Sequence, residues 1–167
     1  EGHAREVVYG TVGGVDVIVL RGRIHLNEMP PSRESLCQMV RIQTEMLLQL
    51  GVKTLVVTSA VGSLDRKIGV GDVVAVNGFV TIFAPPMPLL AGEFVSPEDT
   101  LDGSLRQQAF TTALSVDIRI HSAGHVMLRG PQFEGRRYDK KYLRKTGAKV
   151  EGMSMLPEAC VAALYGA

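Results

Sequence analysis

Arg23 and His25 stand two residues apart in Arg21-Gly22-Arg23-Ile24-His25, directly after the apolar run of residues 15–20. Extended backbone puts positions i and i+2 on one face, so a guanidinium and an imidazole lie side by side. Such a pair suits an oxyanion, which arginine grips with two parallel hydrogen bonds. The other reading is a solvated strand end with ordinary charges. Ser154, in Gly152-Met153-Ser154-Met155-Leu156-Pro157-Glu158, precedes a helical pattern over residues 157–165. Proline suits a first helical turn, and a hydroxyl beside a helix N-terminus sits where anions are favoured. A third segment, residues 55–64, is an apolar β-branched run that stops at small residues and Gly62. A buried strand reads this way when its C-terminal end opens into a site, because small side chains let a ligand approach backbone amides.

Elements that would position these groups follow from periodicity and punctuation. Residues 7–12 and 15–20 flank Gly13-Gly14 and read as a hairpin with a two-residue turn. Over residues 32–50 the apolar positions Leu36, Met39, Val40, Met46, Leu47 and Leu50 recur at helical spacing, with Ser32 as N-cap and Gly51 just past the end. Strands are expected at 54–59, 73–76, 80–82, 118–120 and 126–128, with a last one from Val150. Helices are expected at 105–114, 136–145 (ended by Gly147) and 157–165. Residues 83–101, which hold Pro85, Pro86, Pro88 and Pro97, read as an irregular loop. The expected fold class is α/β, a mixed central β-sheet flanked by helices, in one domain over 1–167.

Composition narrows the function classes. A chain of 167 residues with 46% hydrophobic and 21% charged residues has the make-up of a globular domain with a substantial core. A net charge of +1 argues against a nucleic-acid or membrane-surface partner. The basic stretch at 136–141 reads as a solvated helix face, and no apolar run is long enough to cross a bilayer. Cys37 and Cys160 fall on expected helices without metal or disulfide spacing, so two buried thiols and a cytoplasmic location are expected. His121 and His125 are the one histidine pair at ligand spacing, but Gly124 lies between them in strand-like runs, so no metal is expected. No serine sits in a nucleophile elbow, and no carboxylate pair suggests a hydrolytic glycosidase.

Five pieces then occur in a telling order: His3 near the start, Gly22-Arg23-Ile24-His25, Val56-Val57-Thr58-Ser59-Ala60-Val61-Gly62, Gly130-Pro131-Gln132-Phe133-Glu134, and Gly152-Met153-Ser154 running to Pro157-Glu158. Together they resemble the trimeric purine nucleoside phosphorylases and the related methylthioadenosine phosphorylases. The resemblance implies a homotrimer that cleaves nucleosides with phosphate as co-substrate and no other cofactor. It implies phosphate binding by His3, Arg23, His25, the Ala60 amide and Ser154. It assigns ribose contacts to Asn27, Gly152 and Met153, although the family's purine-nucleoside enzymes usually carry tyrosine where Asn27 stands, and Met153 also reads as a core methionine. Phe133 would stack on the base and Glu134 would accept from its N1–H and any 2-amino group, which fits a 6-oxopurine such as hypoxanthine or guanine. Glu134 also reads as an ordinary acid at a helix start. His25 and Glu134 are the expected catalytic pair. An apolar residue is usual where Glu151 stands, and a carboxylate there needs a partner or an outward orientation.

The family's glycine–serine phosphate loop would lie before Glu1, and its Asn- or Asp-bearing base strand after Ala167. The resemblance therefore implies an internal segment of a larger enzyme. The leading expectation is phosphorolysis of inosine and guanosine. Its alternatives are a methylthioadenosine or methylthioinosine phosphorylase and a catalytically silent fragment.

Overall fold

The computed structural model describes residues 3–28, 32–87, 89 and 92–167; of the expected loop prolines, Pro88 lies outside them. The chain opens on a hairpin of β1 (Glu6–Val12) and β2 (Val15–Arg21), antiparallel and in register from Glu6↔Arg21 to Val12↔Val15. Its turn residues Gly13 and Gly14 have φ of 58° and 82°, the left-handed backbone that a two-residue turn of this hand requires. The hairpin is a sheet of its own.

The main sheet has four strands in the order β3-β6-β5-β4, where β3 is Gly62–Ser63, β4 Val73–Val80, β5 Ile120–Met127 and β6 Val150–Gly152. β4, β5 and β6 run parallel and β3 antiparallel, so the sheet is mixed as expected. Three differences from the sequence reading have physical causes. Residues 73–76 and Val80 belong to one strand, which ends before Thr81, because the register shift between Val76 and Gly78 absorbs Asn77-Gly78 without ending the ladder. The strands expected at 118–120 and 126–128 likewise merge into β5, which starts only at Ile120 and ends at Met127, and Gly124 within it packs against the Ala148 backbone. Residues 54–59 are not a strand. Leu55, Val57 and Ser59 are half-buried and Val56, Thr58 and Ala60 exposed, the alternation of extended chain, but no ladder partner flanks them among the described residues.

Helix α1 (Arg33–Gln49) starts where expected: Ser32 Oγ accepts the Ser35 N–H at 3.1 Å, and Gly51 beyond the end has φ 88°. It buries Leu36, Val40 and Leu47, with Arg41 and Thr44, while Met39 and Leu50 face solvent against expectation. α2 spans Gly103–Ser115 and α4 Leu156–Leu164. The helix expected at 136–145 shortens to α3 (Asp139–Leu143) and a 3-10 turn, Arg144–Thr146, closed by Gly147 at φ 87°. Strand β5 is the spine of the core. Ala123 packs with Ile68 and Val150, Val126 with Leu64 and Leu143, and Met127 with Leu156 and Cys160. Cys160 is buried, whereas Cys37 is only half-buried.

Candidate functional site

The hairpin delivers one half of the site. After β2, Gly22 turns at φ 114°, and a Cβ there would lie 2.3 Å from His3 Cβ, so only glycine admits His3 to this position. His3 stacks on His25 with centroids 5.3 Å apart, and their Nε2 atoms are 3.3 Å apart. The following loop is pinned by its backbone. Gln43 Oε1 on α1 accepts the Ile24 N–H at 3.1 Å, and Glu28 accepts the His25 N–H at 3.0 Å. Burial, with Arg23 and His3 alongside, holds the His25 imidazole below its usual pKa, which favours the neutral ring at neutral pH.

The irregular segment 52–61 and the end of β6 deliver the rest. Arg23 ion-pairs with Glu158 of α4 at 3.1 Å and donates to the Thr58 carbonyl, which fixes its guanidinium between three segments. Ser154, nearly buried, lies 2.7 Å from Ser59 through their hydroxyls. Ser154 does not cap α4, whose first turn follows Met155 without a side-chain cap. Arg23, His25, Ala60 and Ser154 thus border one cleft of about 910 Å³, together with His3.

The cleft's far end mixes Phe133 with two carboxylates and two cations, Glu134, Glu151, Arg136 and Lys140. Gly152 and Met153 form its floor; a Cβ on Gly152 would come within 2.8 Å of His125 Nε2, so this floor must be glycine. Phe133 is 90% exposed and borders the cleft with Glu134. Glu151, expected to turn outward or find a partner, is 2% exposed and ion-pairs with Lys140. Desolvation raises its pKa first, and the neighbouring Glu134 charge raises it further, while Lys140 opposes both. A carboxylate pair that residue spacing does not foreshadow therefore exists here, because the segment before α3 lays Glu134 against Glu151 of β6. Lys140, expected on a solvated helix face, turns inward to this pair instead. A buried acid demands a cation, and Glu151 was the signal that could have pointed to one.

Asn27 lies against Met153: its Nδ2 donates to Met153 Sδ at 3.3 Å, and its Oδ1 accepts the Gly130 N–H at 3.1 Å. Its amide braces the cleft floor from behind and ties it to Gly130-Pro131.

The site is therefore bipolar, with a guanidinium, two imidazoles and a hydroxyl at one end and two carboxylates, accompanied by Lys140 and Arg136, at the other. Such a cleft suits a ligand with an anion at one end and hydrogen-bond donors at the other. A sequence profile described as the phosphorylase superfamily matches residues 1–167. The chain belongs to the phosphorylase superfamily. It is 32% identical over 173 residues to a purine nucleoside phosphorylase of Mus musculus, covering 97% of this chain and 58% of the relative. It is 30% identical to an S-methyl-5'-thioadenosine phosphorylase of Hyperthermus butylicus, over 95% of this chain and 59% of the relative. Solved structures of Schistosoma mansoni purine nucleoside phosphorylase, one with guanosine and one with adenosine, superpose with TM-score 0.79 at 27% identity, each covering 94% of this chain. They extend beyond the match, which takes 63% of the guanosine-bound chain and 58% of the adenosine-bound one. This phosphorylase-superfamily chain thus spans about three-fifths of the length of the relatives it matches. Its α/β architecture with a mixed sheet is that of the purine nucleoside phosphorylase structures.

Proposed function

We propose that this chain carries the nucleoside-cleaving site of a purine nucleoside phosphorylase acting on 6-oxopurine ribonucleosides. The observation that carries the reading is the bipolar cleft, with Arg23, His25 and Ser154 at one end and Glu134 at the other. Phosphate is held by His3, Arg23, His25, the Ala60 amide and Ser154. One of its oxygens attacks C1′ of the ribose, the C1′–N9 bond breaks, and the purine leaves with the bonding electrons as ribose 1-phosphate forms. A neutral His25 serves this step by accepting from or donating to phosphate without needing a second proton. Gly152 and Met153 carry the ribose, with Asn27 holding Met153 in place. Phe133 stacks on the purine, and Glu134 accepts its N1–H as electron density builds on the base. Positioning and electrostatics supply the rate, with no covalent protein intermediate. Phosphate is the co-substrate and no further cofactor takes part. The working enzyme is a cytoplasmic homotrimer in purine salvage.

Base release from inosine, guanosine, adenosine and methylthioadenosine, measured with and without phosphate, tests the reading. Inosine and guanosine are expected to be cleaved, and only with phosphate. Faster cleavage of adenosine or methylthioadenosine overturns the 6-oxopurine assignment, and release without phosphate overturns phosphorolysis.

A further inference from the structure

Between β5 and β6 the chain gathers positive charge that the whole sequence does not have. Residues 129–149 hold eight arginines and lysines against two acids, whereas the full chain carries a net charge of +1. Lys140 and Lys149 are taken by Glu151 and Asp65. Arg129, Arg137, Lys141 and Lys145 are exposed and form no ion pair among the described residues. Each of two tyrosines follows one of these cations, Arg137 before Tyr138 and Lys141 before Tyr142, so a basic row runs alongside an aromatic one. The Tyr142 N–H donates to the Tyr138 carbonyl at 2.9 Å, which puts the two rings on one face, 58% and 72% exposed respectively. With Phe83 and Phe133 these rings border a second cavity of about 530 Å³, whose floor is the buried Leu128 and Leu143. Phe83 meets Tyr142 edge to face with centroids 6.0 Å apart, and Arg137 lies 5.4 Å over the Tyr138 ring.

Exposed rings around a cavity of this size suit a planar heteroaromatic ligand, and unpaired cations beside the rings suit phosphate. The lining itself favours a base over an anion, because Glu134 and Asp139 offer acceptors there against the donors of Gln132 and Arg129. Phosphate therefore belongs outside the cavity, on the basic row. We propose that this cavity is a second site, distinct from the cleft of Arg23 and Ser154, for a purine nucleotide. Its base sits against Phe83 and Tyr142, with an exocyclic amino group donating to Asp139, and its phosphates lie on Arg137, Lys141 and Lys145. A nucleoside lacks the second half of this recognition, and inorganic phosphate lacks the first. The two cavities share Phe133 and Glu134 as a wall, so a nucleotide here adjoins the base end of the cleft without entering it. The site stands on these residues alone and does not depend on the phosphorolysis reading.

Calorimetric binding of ATP at low and high salt tests this on the unaltered chain, on Tyr142→Ala, on Lys141→Glu/Lys145→Glu and on Arg23→Ala. Tyr142, Lys141 and Lys145 are exposed, so the first two variants are expected to keep the melting temperature of the unaltered chain. ATP is expected to bind the unaltered chain and Arg23→Ala alike, and more weakly as salt rises. Tyr142→Ala is expected to weaken binding about tenfold, the scale of one base stacked on a ring. Lys141→Glu/Lys145→Glu is expected to weaken it roughly tenfold at low salt and to remove most of the salt dependence. No ATP binding to the unaltered chain overturns the site. Binding that Arg23→Ala abolishes while the other variants keep it places ATP in the cleft and overturns the proposal as well. An oligoadenylate bound far more tightly than ATP assigns the surface to single-stranded nucleic acid and overturns the free nucleotide as its ligand.

Discussion

Arg23 is held by the groups that shape the anion end, and its removal has two consequences. Its guanidinium ion-pairs with Glu158, whose side chain is 14% exposed, and donates to the Thr58 carbonyl. Arg23→Ala is expected to weaken phosphate binding by about 1.5–3 kcal/mol, measured by calorimetry. It also leaves Glu158 nearly buried and unpaired, so its melting temperature falls as well, whereas Arg23→Ala/Glu158→Gln recovers stability without recovering phosphate affinity. His125 makes a separate prediction. It is fully buried against Phe79, neither ring nitrogen has a hydrogen-bond partner among the described residues, and burial pushes its pKa down to about 4. Between about pH 6.5 and 4 the unfolded chain takes up a proton that the native ring refuses. Stability is therefore present above pH 6.5 and lost as pH falls through this window, by about 3 kcal/mol at its lower end. Glu151, with its pKa raised, contributes the opposite slope above the usual carboxylate range, so the comparison is made by variant. Melting temperatures of His125→Leu between pH 7 and 4 are expected to decline less steeply than those of the unaltered chain. Parallel declines would assign the acid sensitivity elsewhere.

Helix α1 bears on the site without entering it, because Gln43 on its flank holds the Ile24 N–H between Arg23 and His25. Gln43→Ala is expected to cost about 1 kcal/mol of stability and to weaken phosphate binding although it changes no charge. An unaltered phosphate affinity would mean that Glu28 alone sets the loop. Much of the element map was legible in the sequence, since the hairpin turn at Gly13-Gly14, the Ser32 cap and the Gly51 and Gly147 stops are local signals that the backbone obeys. The strand breaks were over-read. Asn77-Gly78 and Gly124 look like punctuation, but the edge strand β4 absorbs a bulge and the inner strand β5 accommodates a close backbone approach without either ladder ending. Residues 54–59 failed in the other direction, because strand propensity needs a partner strand to become a ladder. In the site, the converging segments were legible through their motifs. Lys140 and the bracing role of Asn27 were not, because both depend on contacts across more than ten and a hundred residues of chain respectively.

At the scale of the molecule, the hairpin stands out as apolar surface without cover. Val7, Tyr9, Val12, Val15 and Val19 are each between 47% and 71% exposed, and Val56 and Phe94 are 81% and 93% exposed. Surface of this kind favours association. Sedimentation velocity is expected to show assembly that grows with protein concentration, and a single unassociated species at every concentration would contradict it. The hairpin also supplies His25 and Arg23 from beyond its last residue, while Ser154 and Glu151 belong to the four-stranded sheet and its exit. No ladder bond joins the two sheets among the described residues. An anion gripped from both sides would then act as a strut between two bodies that the backbone leaves independent. The hairpin amides, whose opening needs only local fraying, should exchange with deuterium more slowly once phosphate is added, while those of β5 hold their rate. Mass spectrometry of peptides covering residues 6–21 would read that difference, and equal exchange with and without phosphate would mean that the two sheets are already locked.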